Sequence, residues 1–356
     1  MKKIFKLFLA LVCVPAFTNC FAQAPTWYWA KSGGLTGEEF GYSVAMDKSG
    51  NVYAAGSYTS ATLTFGAITL TNAGMGDAFL VKFNSTGNIL WAKNIGGSAG
   101  DVGHGVAVDA AGNIYVAGWY ASATLSIGNT TLTNAGTATP DVFIAKYDVF
   151  GNELWAKSIG GPGIDLCSSI AVDAGINLTV AGRFTGVTAL IGSVTLTNAS
   201  AGTNDIFIAE YDSSGAVSWA KSMGGTGDDI GECVAADASG NSYLSGSFTS
   251  ASIMFGTQTL TNAGTGNDMF VAKFDNSGNV DWAKSAGSTG AEIGYGVAVD
   301  GNGNVLVTGL FDSPVLSFGA NLLNNSGYSD FFLAKYDISG NVIWANSAGG
   351  PYDDAG

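Results

Sequence analysis

The sequence predicts an all-β fold: a β-propeller of four-stranded antiparallel blades, five complete, with partial strands at both termini. Three observations predict it. A tryptophan recurs at Trp29, Trp91, Trp155, Trp219, Trp282 and Trp344, with spacings of 62, 64, 64, 63 and 62 residues. Each period holds two glycine-closed turn signatures between apolar, β-branched and aromatic runs. Third strands such as Ala78–Phe83 and Phe143–Tyr147 are apolar on nearly both faces, as befits a sheet sandwiched between two others. A β-solenoid stacks shorter coils and has no use for two tight hairpins per unit.

In the first unit the strands read as Tyr42–Met46, Val52–Tyr58, Ala78–Phe83 and Ile89–Lys93. Asp47-Lys48-Ser49-Gly50-Asn51 joins the first two, and Asn84-Ser85-Thr86-Gly87-Asn88 joins the last two. Both have the chemistry of a type I turn closed by a left-handed glycine. The leading Asp or Asn accepts bonds from the turn's N–H groups, and Gly takes positive φ without a Cβ clash. The Thr-rich segment Ala61–Ala73, containing Phe65-Gly66, reads as an added hairpin between strands two and three.

The N-terminus reads as an address, residues 1–24. Lys2, Lys3 and Lys6 precede the apolar run Leu7 to Phe17, and Ala22-Gln23-Ala24 offers a small-x-small cleavage site. That is the layout of a secretory signal peptide, and the run is too short to span a bilayer. Cys20 raises a lipoprotein alternative, but Phe17-Thr18-Asn19 lacks the small residues expected before a lipidated Cys. Export to a secreted or cell-surface location is the expectation, with residues 25–356 forming the repeats and no transmembrane segment in the mature chain. Cys167 and Cys233 then survive, either as buried thiols or as a cross-link between neighbouring repeats.

The run Val106-Ala107-Val108-Asp109-Ala110-Ala111-Gly112-Asn113-Ile114-Tyr115-Val116-Ala117-Gly118 resembles the bacterial β-propeller repeat family called SBBP, found in secreted and surface proteins. The resemblance covers nearly all of the mature chain. It implies an extracellular propeller and supplies no catalytic motif to transfer.

The ends do not match a closed ring. Trp27–Lys31 reads as a fourth strand without its first three, and Gly349–Gly356 stops where a new first strand should begin. Two arrangements fit: part of a ring with six or more blades, or a closed five-blade ring with Trp27–Lys31 left over.

Formal charge is −14 with only 14 Lys and Arg, so nucleic acid, which needs clustered basic residues, is not an expected partner. An acid follows each Trp by ten residues, at Glu39, Asp101, Asp165, Asp229, Glu292 and Asp354. Strand polarity puts these acids, the hairpins and the Asp77-type residues on one rim, which is the candidate functional face. The acids could bind Ca²⁺ or a cationic partner, or could tie down the links and pair with the Lys of Trp-Ala-Lys. If the third-strand turn sets register, Val81 faces Trp91 and Phe79 faces Lys93, leaving Asp77 diagonal to Lys93. The turn aspartates lack calcium-loop spacing, because Gly comes fourth rather than sixth. The periodic Trp residues read as blade packing.

Trp119 and Tyr120 fall outside that period and are candidates to stack on a ligand. His104 is the only histidine and Arg183 the only arginine, and Glu210 replaces a repeated Lys, so Arg183 and Glu210 could compensate each other. One His cannot supply a His-based metal site or, short of coincidence, a catalytic triad. The expectation is a non-enzymatic extracellular binding, adhesion or scaffold module without cofactor, its partner an unknown protein or glycan. The alternative is a polysaccharide-active enzyme or its carbohydrate-binding part.

Overall fold

The computed structural model describes residues 29–33, 37–136 and 139–354. The leader segment and Trp27 lie outside those residues. In the first unit, β1 (Glu39–Met46), β2 (Val52–Tyr58), β5 (Asp77–Phe83) and β6 (Ile89–Ile95) pair antiparallel in that order. Between them β3 (Thr62–Phe65) and β4 (Ile68–Thr71) form the expected hairpin, turned at Gly66 with φ 58°. Four more units repeat this plan, with inner strands Asp101–Val108, Asp165–Val172, Asp229–Ala236 and Glu292–Val299. No helix occurs among the described residues.

Consecutive inner strands pack against one another, so the blades fan out from them. The first and fifth sheets share no strand pairing among the described residues, so the closed five-blade ring is not the arrangement observed. Residues 29–33 form no strand either. Trp29 nevertheless docks on blade one: its Nε1–H donates to the Ser85 carbonyl at 3.2 Å, and its ring lies over Gly87.

That contact recurs between blades. The Nε1–H of Trp91, Trp155 and Trp282 donates to the carbonyls of Val149, Ser213 and Ile338, at 3.3, 3.3 and 3.0 Å, in the third-strand turn of the next blade. The left-handed glycine of that turn lies beneath the indole; a Cβ on Gly151 would come 2.9 Å from Trp91. Glycine is needed there twice over, for its φ of 79° and for the close approach. Lys82 and Lys146 donate to the same carbonyls as Trp91 and Trp155, both at 3.0 Å.

A register shift explains the convergence. Lys82 faces Trp91 and Leu80 faces Lys93, because a bulge between Lys82 and Phe83 leaves exposed Leu90 without a partner. The Val81–Trp91 and Phe79–Lys93 pairings expected from the turn are therefore off by one, and Lys82 and Trp91 share a face. The ion pairs present among the described residues are Lys273–Asp281 at 2.9 Å and Lys335–Asp300 at 3.0 Å, so the per-blade bridge between Asp77-type and Trp-Ala-Lys residues does not form.

Third strands in the first four blades are buried at every position, whereas Asp330–Tyr336 in the fifth is buried only at alternate ones. Blades two to four are flanked on both sides, and blade one covers its free face with its own hairpin and Trp29, whereas the far face of blade five has no such cover among the described residues. Each large core cluster accordingly mixes residues of successive blades, as where Tyr53 and Leu80 meet Ile114 and Phe143. At about 1.5–3 kcal/mol per buried large side chain, these shared clusters stabilise the joints between blades as well as the sheets.

The hairpins correct a second expectation. They lie along the outer strands, β4 packing on β6, and the hairpin strand Thr188–Ile191 even joins the preceding outer strand through Ile159–Ile191 and Gly160–Leu190. They are outer straps between blades rather than rim loops.

The first turn of each blade behaves as its chemistry requires. Asp47 accepts N–H bonds from Ser49 and Asn51, an amide bond from Asn51 and the Tyr53 hydroxyl. Blade three departs from this. In Asp173-Ala174-Gly175-Ile176-Asn177 the glycine comes one place early, so Ile176 takes φ 69°, the one positive-φ non-glycine among the described residues. A left-handed β-branched residue is strained by about 1–2 kcal/mol. Ile176→Gly should therefore raise unfolding free energy by about 1 kcal/mol despite losing some burial. A fall in denaturation midpoint would show that Ile176 packing outweighs the strain.

Candidate functional site

The link acids are built into the fold. Asp101 accepts the Gly97 N–H at 2.7 Å and the Ser122 hydroxyl at 2.9 Å, and Asp229 does the same with Gly225 and Ser250, at 2.8 and 2.6 Å. Asp165, Glu292 and Asp354 accept N–H bonds from Gly161, Ser288 and Gly350, and Glu39 takes the Ser60 hydroxyl. The backbone N–H groups of Asp101, Asp165, Asp229 and Glu292 reach back to carbonyls of Gly76, Pro140, Asn204 and Asn267 in the preceding blade. Burial raises the pKa of all four, and the Asp that opens the preceding third strand adds to the rise at Asp101, Asp165 and Glu292. Asp101 stands at about 6 and Asp165 at about 7. Among the described residues no three His, Cys, Asp or Glu gather closely enough to hold a metal ion. The acids sit as separate pairs at the blade junctions.

Tyr120 is fully buried, its hydroxyl 2.8 Å from Ser158 Oγ, and so has no face for a ligand. Its side chain packs in the core shared by blades one and two. Trp119, opposite Val102 and Val142, is half-buried. Cys167 and Cys233 are free thiols. They flank the inner-strand bulge on opposite sides, Cys167 packing towards blade two and Cys233 towards blade five, so their side chains diverge.

The unexpected feature is that bulge. In every inner strand the register breaks once, and the extra residue is Tyr42, His104, Ser168, Glu232 or Tyr295. Its neighbours face adjoining blades: a Cβ on Gly103 would lie 3.2 Å from the Gly56 carbonyl, and one on Gly105 would lie 3.2 Å from Ile170. The bulged residue is left on the inner edge, which has no strand partner. Tyr42 and His104 stack there, ring centroids 5.0 Å apart and planes 9° from parallel.

Arg183, on the second strand of blade three (Leu178–Phe184), serves this edge. Burial and then the Arg183 charge hold the His104 imidazole below its usual range. Burial raises the Glu232 carboxyl, with Arg183 opposing, and burial and then Glu232 raise the Tyr295 phenol. Arg183 does not compensate Glu210, which lies opposite Thr179, four residues away along the strand or about 13 Å. Glu210 is buried, and burial with the nearby Asp173 charge takes it to about 7.

The signal for this edge was present: each bulged residue follows a periodic acid by three places. It is the place where the repeat stops repeating, and period-matching passes over it. An apolar groove of about 310 Å³, lined by Phe40, Leu63, Phe65 and Phe79, lies elsewhere, on the outward flank of blade one beside Trp29.

The SBBP β-propeller repeat model matches residues 90–119 and 281–310, each stretch running from an outer strand through the link into the next blade. An uncharacterized WD repeat-containing protein of Acanthamoeba polyphaga mimivirus is 27% identical over 367 residues, covering 83% of this chain and 26% of that protein. The regulatory protein FlaEY of Caulobacter vibrioides is 30% identical over 111 residues, covering 31% of this chain and 12% of that protein. The chain thus spans about a quarter or less of these relatives. A protein of unknown function from Bacteroides caccae superposes with a TM-score of 0.35 at 14% identity, over 76% of this chain and 90% of that one. No helix among the described residues is long and apolar enough to cross a membrane. The chain carries β-propeller repeats of the SBBP family, matched at those two places.

Proposed function

We propose that this protein is a secreted, non-enzymatic β-propeller that works as an extracellular binding, adhesion or scaffold module. The observation that carries it is the division of labour among its polar groups. The link acids are bonded within the blade junctions, and Trp91, Trp155, Lys82 and Lys146 are bonded to neighbouring blades, so they serve the scaffold. The residues that differ from blade to blade collect on the free inner edge. The basic, apolar leader with its Ala22-Gln23-Ala24 site supports export.

The test is surface plasmon resonance on the immobilised full chain, against defined polysaccharides and purified extracellular-matrix proteins. Parallel assays follow reducing-sugar release. Saturable binding without release is expected. Sugar release in proportion to enzyme would establish the polysaccharide-active alternative, and a response to neither panel would leave a purely structural role.

A further inference from the structure

We infer that the inner edge is an extended binding site for a neutral oligosaccharide, with the Tyr42–His104 pair as its stacking shelf and Arg183 and Glu232 as its hydrogen-bonding centre. This rests on the binding-module reading and names its ligand class.

Placement comes first. One bulge per blade aligns Tyr42, His104, Glu232 and Tyr295 along a continuous free edge, and Tyr42 and His104 meet face to face across two blades. Tyr42 and Tyr295 are 45% and 48% exposed, so aromatic surface is open at both ends of the line. Trp119 holds the repeat position of Arg183 one blade earlier, each following the glycine paired at the bulge.

Chemistry selects the ligand. Flat aromatic rings offer an apolar face to the C–H side of a sugar ring, while guanidinium and carboxylate groups offer paired donors and acceptors to vicinal hydroxyls. The edge sets the only arginine within charge range of the Glu232 carboxylate, and the chain carries −14 overall, so a polyanion would gain little there. Burial and then the Arg183 charge lower the imidazole pKa, which disfavours a second cation beside Arg183. A line running from blade one to blade five suits several linked sugars better than one.

The test is isothermal titration calorimetry on the full chain with cellohexaose, xylohexaose and the acidic hexamer of α-1,4-galacturonate. At least one neutral hexaose should bind, and Arg183→Ala and Tyr42→Ala should each weaken it at least tenfold. Lys284→Ala, on an outer strand, should leave binding unchanged. Tyr42 is exposed enough that its variant keeps its melting temperature, which guards against a folding artefact should Arg183→Ala unfold. Failure of both neutral hexaoses, or preference for the galacturonate, overturns the proposal. Unaltered hexaose binding in both variants places the site elsewhere and likewise overturns it. In each case, retained binding to a matrix protein would leave the binding-module function standing without this site.

Discussion

Trp282→Ala should lower unfolding free energy by about 3–5 kcal/mol, the range for emptying a buried aromatic site. Trp282 is 6% exposed, stacks on Tyr336 of the next blade at 6.3 Å, and donates its N–H to Ile338 there. Truncation removes the indole from the seam, opens a cavity against the next blade's turn and strands a carbonyl. Trp344, at the same place in blade five, is half-buried and has no following turn to dock on among the described residues. Trp344→Ala should cost about 1 kcal/mol by the area it still covers. Denaturant unfolding of both variants checks the contrast. Equal losses would show that the indoles stabilise their own sheets and not the joints between blades.

Stability should peak in mildly acidic solution, near pH 4–5, and fall as pH rises to 8. Asp101, Asp141 and Asp205 stand at about 6, and Asp165 at about 7, against an ordinary 3.8, chiefly because each is buried. Between those values the native protein binds more protons than the unfolded chain. Stability is therefore fully present below pH 4 as far as these groups are concerned, and is lost as pH rises through 6 and 7. For Asp165 the span of roughly three pH units corresponds to about 4 kcal/mol, shared with its neighbour Asp141. The turn aspartates act oppositely. Bonds to Asn51 hold Asp47 low, and bonds to Asn241 and Tyr243 do the same for Asp237, so their contribution is lost only as pH falls below the ordinary range. Melting curves from pH 3 to 8 give the profile, and Asp165→Asn should flatten its alkaline limb. A wild-type midpoint that climbs steadily from pH 5 to 8 would contradict the assignment.

Much of this molecule was legible beforehand. The predicted Val52–Tyr58 matches β2 to the residue, and Ala78–Phe83 falls one residue short of the observed β5, because alternation and turn residues are local signals. The Asp-x-x-Gly-Asn turns followed from side-chain chemistry within five residues, and even their exception at Ile176 is visible as a displaced glycine. Tyr120 is buried rather than open to a ligand, because strand-end position says nothing about how many blades surround a side chain. The Val81–Trp91 register failed for a similar reason, since the bulge that unpairs Leu90 is decided by where the indole finds the next blade.

By itself the sequence determined the number and order of strands in a blade, the two tight turns and the packing role of the tryptophans. These depend on alternation, on glycine at positive φ and on side chains bonding to their own turn. Only the tertiary structure decided that the link acids would be buried in pairs, that the hairpins would strap the outer strands and that Tyr42, His104 and Glu232 would share one edge with Arg183. Those outcomes arise from contacts between blades some 63 residues apart, where a one-residue bulge redirects a side chain without changing the local pattern that encodes the strand.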